Sequence, residues 1–432
     1  MSLPLSVKYD EELHSLPPET QNFEYVATPV NGSTFGQNQQ IIIDLGNKGF
    51  LDPASLYFRY KMTYTGATNV AVTTLNTVGT PAYQPFVRMD CLVNSQQIES
   101  INLYNTVCNM HTNLQLDISS KLGQQYNLGY GPDSANLANE NTDGGQTQLP
   151  ANTTTVSVYY SAPLVSVLSF SDKLIPLFLL NNVRYVFTLD TVAHIATATA
   201  AAVIPTDYQI SNFEVVYNVV DMGHSVEREI VSLPKLRIKS MSYASSTAPT
   251  VPIGQAGALT LQYNMRYASL RSAFLNCGGT SATSANGQLD SYDITAGNGD
   301  YQFSIGGIPY PSRPVSTILN KAGAMMELRR AMGTIFGSTV ALSITSAEFS
   351  AVPSTATSNI RPAKFWFSQN LMKLTTPSRS LFNGVSTQLS PINVNINMNT
   401  ALATQAISPS LIVLYDAVIE IDTLTRNVLM IQ

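Results

Sequence analysis

The feature that most constrains this chain is a strand–turn–helix pattern that occurs twice, about half a chain apart. The first copy begins with Phe86–Val93, in which apolar and polar residues alternate as in a half-buried strand. Residues 94–96 (Asn-Ser-Gln) then supply turn chemistry. Beyond the turn, apolar residues recur every three or four positions, which predicts an amphipathic helix over about 98–120.

The second copy begins at Tyr301 with the short alternating run YQFSI. A turn follows at Gly306-Gly307, and the next nine residues contain three prolines, which exclude an early helix. Helical spacing then predicts a second helix over about 316–332. Because strand, turn and helix recur in the same order, the chain is expected to contain two tandem copies of one β-domain.

Alternating or β-branched runs predict further strands in both halves. In the first half they are residues 41–45, 56–64, 156–159, 182–190 and 213–222; in the second half they are residues 236–243, 259–267, 340–349, 364–371, 392–399 and 411–421. With the repeated unit this makes roughly eight strands per half, the number in a jelly roll. The predicted fold class is therefore all-β: two tandem eight-stranded jelly-roll β-sandwiches, each with a helix inserted after an equivalent hairpin.

Three segments are predicted from composition. Residues 1–38 are an N-terminal arm, rich in Gly, Asn and Gln around a Pro-Pro pair, with little regular structure before Gln40. The first jelly roll spans 39–225 and the second 226–432, joined through the charged, proline-terminated stretch 223–235.

Two features of the predicted surface follow from the same composition. The alternating apolar residues Leu3, Leu5, Val7 and Tyr9 give the arm a piece that could add to an exposed sheet edge. Residues 123–155 are dense in Gly, Asn, Asp, Gln and Thr, and so long a loop usually carries surface function.

The charge content limits the possible partners. Charged residues make up 12% of the chain, against roughly 25% in an average globular domain. Because the cores of protein interfaces are depleted of Lys, Glu and Asp, this composition predicts extensive self-association. The net charge is −5 and there is no run of Lys or Arg, which argues against specific nucleic-acid binding.

The first residues do not resemble a signal peptide and no stretch approaches the length of a spanning helix, so we expect a soluble chain made in a reducing compartment.

No catalytic, cofactor-binding or metal-binding residue can be nominated. The four histidines show no metal-binding spacing, and no Ser-His-Asp or Cys-His pairing stands out: His14, His111, His194 and His224. The three cysteines are expected to be buried, reduced thiols: Cys91, Cys108 and Cys277. Three aspartates form a loose acidic group, for which a solvated loop is favoured over a calcium site: Asp290, Asp293 and Asp300. The protein is not expected to be an enzyme.

Four pieces of the chain resemble the double jelly-roll major capsid proteins of icosahedral DNA viruses, which include the adenovirus hexon and the capsid proteins of large eukaryotic DNA viruses, virophages and polinton-like elements. The pieces are GFLDPASLYFRYKM (49–62), NSQQIESINLYN (94–105), APLVSVLSF with LIPLFLL (162–180) and IGGIPYPSRPVSTILN (305–320). The resemblance covers residues 40–432 and lies in the order of the elements rather than in an invariant signature.

The resemblance implies a structural role in the virion. It implies a homotrimer whose six jelly rolls form a pseudohexagonal capsomer, and contacts with neighbouring capsomers, penton and minor capsid proteins. The N-terminal arm would reach toward those neighbours or toward an internal membrane. The alternative is a tandem β-sandwich that binds carbohydrate or serves in attachment. Such a protein would usually show clustered tryptophans, whereas this chain has only Trp366.

Overall fold

The computed structural model describes most of the chain. The described residues are 17, 19–70, 75–77, 80–116, 120, 123–129, 153–198, 205–279, 291–318, 321–333, 344, 346–350, 363–374, 382–402 and 406–432.

The described chain is built mainly of strands, here numbered in order. Those of the first half are β1 (Gln21–Ala27), β2 (Thr34–Phe35), β3 (Gln40–Leu45), β4 (Phe50–Leu51), β5 (Tyr57–Val70), β6 (Leu75–Thr77), β7 (Phe86–Val93), β8 (Gln96–Asn102), β9 (Thr153–Pro163), β10 (Ile175–Pro176), β11 (Val183–Leu189), β12 (Ala196–Ala198) and β13 (Pro205–Asp221). Those of the second half are β14 (Lys235–Thr247), β15 (Gly257–Tyr263), β16 (Leu270–Gly279), β17 (Gly299–Ile305), β18 (Ile308–Ser316), β19 (Phe367–Asn370), β20 (Ile392–Met398), β21 (Ile407–Asp422) and β22 (Val428–Ile431). The α-helices are α1 (Tyr104–Gln115), α2 (Gln125–Leu128), α3 (His224–Ser232), α4 (Ala322–Ala331) and α5 (Ser346–Phe349).

Each half is a sandwich of two antiparallel sheets. In the first half, the larger sheet contains β1–β13–β5–β9 as neighbours, with the short strands β2, β4 and β10 attached, and the smaller sheet has the order β3–β11–β7–β8. In the second half, the corresponding sheets have the orders β14–β21–β16–β19 and β15–β20–β17–β18. The two halves therefore share one strand order, element by element, and the predicted pair of eight-stranded jelly rolls is confirmed.

The alternating sequence pattern places the core between the sheets. In β7 and β11, alternate residues such as Met89, Cys91, Tyr185 and Phe187 are buried while their neighbours are partly exposed. In β5, alternate residues are buried as well, Phe58 among them. Aromatic rings fill the first sandwich, with Phe58 lying 5.3 Å from the ring of Phe86. Alternation of this kind buries one face of each sheet and leaves the other to solvent or to a neighbour.

Both inserted helices follow an equivalent hairpin. Helix α1 follows the β7–β8 hairpin, and helix α4 follows the β17–β18 hairpin. The two helices begin later than predicted. The residues before them form strands β8 (Gln96–Asn102) and β18 (Ile308–Ser316). A β-bulge opposite Cys91 and Leu92 puts two consecutive side chains of β8 inside, which produced the three-residue apolar spacing that indicated a helix.

Regular structure begins well before Gln40. Strand β1 pairs in register with β13, from Gln21 opposite Asp221 to Ala27 opposite Val215, and takes the same position as β14 in the second half. The prediction of little regular structure in residues 1–38 is therefore wrong from residue 21 onward. It failed because the first six residues of β1 are exposed on both faces, so the sequence shows no alternation. Residues 1–16, with the apolar run at 3–9, lie outside the described residues.

Other segments differ from their predictions. The strands predicted for the second half do not include β16, because it is buried on both faces and contains Gly, Asn and Ser rather than an alternating pattern. Of the strand predicted over 340–349, the described part Ser346–Phe349 is a helical turn. Most of the predicted surface loop 123–155 lies outside the described residues. The predicted connection 223–235 contains helix α3, which joins the last strand of the first sandwich to the first strand of the second.

Candidate functional site

The two jelly rolls meet along a junction in which strand β14 of the second packs against strand β8 and the 164–172 segment of the first. The backbone N–H of Asp172 donates to the carbonyl of Lys239 at 3.1 Å. Two serines of β14 donate to backbone carbonyls of the first jelly roll: Ser245 to Asn102 and Ser240 to Val167. These bonds satisfy backbone groups that an edge strand would otherwise leave open.

A buried glutamate lies inside this junction. Glu99, on β8, is 3% exposed, and both of its carboxylate oxygens accept from the backbone N–H of Val167 at 2.9 Å. Ser242, from the second jelly roll, donates its hydroxyl to the same carboxylate. Burial raises the pKa of Glu99 to about 7, although these hydrogen bonds oppose the rise.

The titratable groups around Glu99 carry no compensating charge. They come from β7, α1, β11 and β21: Cys91, Cys108, Tyr185 and Tyr415. Burial raises the pKa of each thiol and phenol well above its usual range, so all four are neutral at physiological pH. Among the residues that the structure describes, the groups that stabilise an ionised Glu99 are therefore hydrogen-bond donors.

His111 of helix α1 faces the same junction. Its Nδ1 lies 2.9 Å from the hydroxyl of Tyr243 on β14, and its ring packs edge-on against Tyr243 and Phe170 at 5.6 and 5.7 Å. Burial lowers the pKa of His111 to about 4, so the ring is neutral at physiological pH.

A cleft of about 350 Å³ opens beside His111, between the two jelly rolls. Its walls carry one full charge, on Arg271, whose Nε lies 3.8 Å from Asp416, beyond hydrogen-bonding distance. The other lining residues are mainly apolar: Phe170, Met241, Tyr243, Ala331, Met332, Met372 and Leu414, with His111 and Gln115. Both inserted helices contribute, so the cleft depends on how the two halves are joined.

The other two described histidines each lie beside an acidic side chain. His194 pairs with Asp190 at 2.8 Å, and this hydrogen bond raises the pKa of the imidazole; His224 lies 3.2 Å from Glu227 on an exposed helix. His14 lies outside the described residues. Within the described ranges no group of three or more potential metal-ligating side chains occurs. The three cysteines are buried and unpaired in disulfides, as predicted.

The prediction of a solvated acidic loop is wrong for Asp293. It is fully buried and pairs with Lys321 at 2.6 Å, just before helix α4. Its carboxylate also accepts from the backbone N–H groups of Thr295 and Gly297 at 3.0 Å, so it organises a tight loop. The ion pair joins residues far apart in sequence, and no local pattern predicts it. Asp290 lies outside the described residues.

Comparison with known proteins identifies the fold but not a close relative. No protein-family model and no curated protein sequence matches the chain. The Faustovirus major capsid protein superposes with a TM-score of 0.61 at 8% identity, covering 94% of this chain and 92% of its own. The mavirus major capsid protein gives 0.58 at 10% identity, covering 100% and 95%. The PBCV-1 protein VP54, as fitted into a reconstruction of the virophage Sputnik, gives 0.61 at 11% identity, covering 98% of each chain.

These similarities extend over the whole chain, and they agree with the shared strand order of the two halves and with their inserted helices. In the part of the chain that the structure describes, no helix has the length and apolar character needed to cross a membrane. The chain has the fold of the double jelly-roll major capsid proteins.

Proposed function

We propose that this protein is a structural major capsid protein that assembles as a homotrimer into pseudohexagonal capsomers of an icosahedral shell. The observation that carries the proposal is the identical strand order of the two jelly rolls, joined side by side within one chain. Three such chains related by a threefold axis present six similar domains around a ring, which suits hexagonal packing.

The junction between the jelly rolls supports this role. A capsomer needs its two domains held at a fixed angle, and the backbone hydrogen bond from Asp172 to Lys239 and the buried contacts of Glu99 and His111 tie them together. The low charged fraction of 12% favours large buried contacts between copies.

The proposed partners follow from the same role. They are further copies of the chain, neighbouring capsomers, penton and minor capsid proteins, and an internal membrane reached through the N-terminal residues. The proposed location is the virion shell, and the proposed role is structural rather than enzymatic. We further propose that the jelly rolls divide within 223–235, where helix α3 lies. The carbohydrate-binding alternative has no support from tryptophan, because Trp366 is buried.

Light scattering on the purified chain tests the proposal. We expect a particle of about 140 kDa, three times the 46.8 kDa of one chain, and we expect electron micrographs of it to show a pseudohexagonal outline. A stable monomer at micromolar concentration would contradict the trimer. A dimer or an open filament would contradict the closed threefold ring.

A further inference from the structure

Each jelly roll has two edges that can contact another jelly roll. The junction within the chain shows how two unlike edges pack together. We name as the leading edge the first strand of the larger sheet, which is β1 or β14. The trailing edge is the last strand of the smaller sheet, with the segment that follows the last strand of the larger sheet. The trailing edges are β8 with 164–172, and β18 with 371–374 and 382–390. Within the chain, the leading edge of the second jelly roll packs on the trailing edge of the first.

The other two edges are exposed. The first six residues of β1 are exposed, including Phe23, Tyr25 and Val26, each at least 40% exposed. On the second trailing edge, Ile308, the first residue of β18, is 58% exposed. Further large apolar side chains of that edge are exposed: Leu374, Phe382 and Leu389. A strand edge with apolar side chains and unpaired backbone groups is a template for association.

The charges on these two edges are of opposite sign. Strand β1 carries one charged residue, Glu24, and strand β18 carries one, Arg313, both exposed. Opposed charges of this kind favour contact between unlike edges and disfavour contact between two like edges. An isologous pairing of β1 with β1 would instead bring two glutamates together.

We propose that the leading edge β1 of one copy docks on the second trailing edge, β18 with 371–374 and 382–390, of a second copy. This contact repeats between chains the junction that β14 and β8 make within a chain. It rests on the proposed capsomer and specifies its contact surfaces. Such a head-to-tail contact, alternating with the internal junction, closes three chains into a ring of six jelly rolls.

Two substitutions on opposite edges test the pairing. Val26→Lys places a charge on β1, and Ile308→Lys places one on β18; both side chains point into solvent in the single chain. We expect each variant to be a monomer with an unchanged thermal melt, while the wild-type protein is a trimer. Ile253→Lys is the matched control, since Ile253 is 57% exposed and lies away from both edges; it should remain a trimer.

Mixing the two variants distinguishes the proposed contact from other arrangements. The Ile308→Lys chain keeps an intact β1, and the Val26→Lys chain keeps an intact β18. The first strand can therefore dock on the second, which gives one intact interface between the two chains. The equimolar mixture should give heterodimers of about 94 kDa, twice the chain mass of 46.8 kDa, although neither variant associates alone. Ser at the same positions repeats the test if a Lys variant melts early.

These experiments distinguish an error in the edge pairing from an error in the capsomer proposal. If the wild-type protein is a trimer but either variant stays trimeric, or the mixture stays monomeric, the edge pairing is wrong and the capsomer proposal stands. If the wild-type protein is a monomer, both proposals are wrong.

Discussion

The junction contains two titratable groups that respond to pH in opposite directions: Glu99, which is buried, and His111, which is partly buried. The pKa of Glu99 is raised to about 7 from an ordinary value of 4.5, so its contribution to the free energy of unfolding falls as pH rises from 4.5 to 7. The pKa of His111 is lowered to about 4 from 6.5, so its contribution falls as pH drops from 6.5 to 4. Each amounts to about 3 kcal/mol by linkage, and between pH 4.5 and 6.5 the two oppose each other.

Single substitutions should separate the two contributions. Glu99→Gln removes the Glu99 contribution and keeps that of His111, so we expect the free energy of unfolding to fall, relative to the wild type, when the pH is lowered from 7 to 4.5. His111→Gln keeps the contribution of Glu99 instead, so we expect the free energy of unfolding to rise, relative to the wild type, over the same interval. Urea denaturation at several pH values measures both. Glu229→Gln, on the exposed helix α3, should follow the wild-type curve. Variants with the same slope would show that these groups do not titrate as their burial requires.

The elements that sequence could predict are those whose side chains alternate between core and surface. Strands β7 and β11 are of this kind, and the repeat of hairpin and helix identified the two jelly rolls. Strand β1 is exposed on both faces and β16 is buried on both, so neither has a period of two. In each case the strand is specified by its sheet partner, β13 or β21, which lies far along the chain.

The junction between the two jelly rolls was harder to predict from the sequence than the strands were. Glu99 lay within a stretch interpreted as an amphipathic helix, where an acidic residue suggests an exposed face. Its partners Val167 and Ser242 lie 68 and 143 residues away. Contacts between the two jelly rolls depend on how the whole domains pack against each other. They cannot be predicted from the spacing of residues along the sequence.

Two deletions distinguish β1 from the residues before it. Deleting residues 2–35 removes the strand that pairs with Val215–Asp221 of β13. At about 0.5–1.5 kcal/mol net for each lost hydrogen bond, we expect a loss of several kcal/mol in stability, and no trimer. Deleting residues 2–16 keeps β1, so the trimer should survive and only shell assembly should suffer. Thermal melts, light scattering and shell yield report these effects. A stable trimer from the longer deletion would contradict the role given to β1.

The whole molecule carries a net charge of −5, and its 23 Lys and Arg residues form no run longer than the pair Arg329-Arg330. Non-specific DNA binding draws most of its free energy from counterions released when Lys and Arg neutralise phosphates. In the proposed capsid role, the protein is therefore expected to enclose a genome without binding it tightly, and packaging would depend on other components.

A gel-shift titration of the purified protein with duplex DNA checks this expectation. We expect no complex at micromolar protein in 150 mM salt. A protein that neutralises six to ten phosphates gains about 10³–10⁵ in affinity when the salt is lowered from 200 to 50 mM. Because this sequence has a net charge of −5 and no long run of Lys or Arg, we expect a much smaller gain. A basic DNA-binding domain serves as the positive control. Tight binding with a steep salt dependence would overturn the expectation.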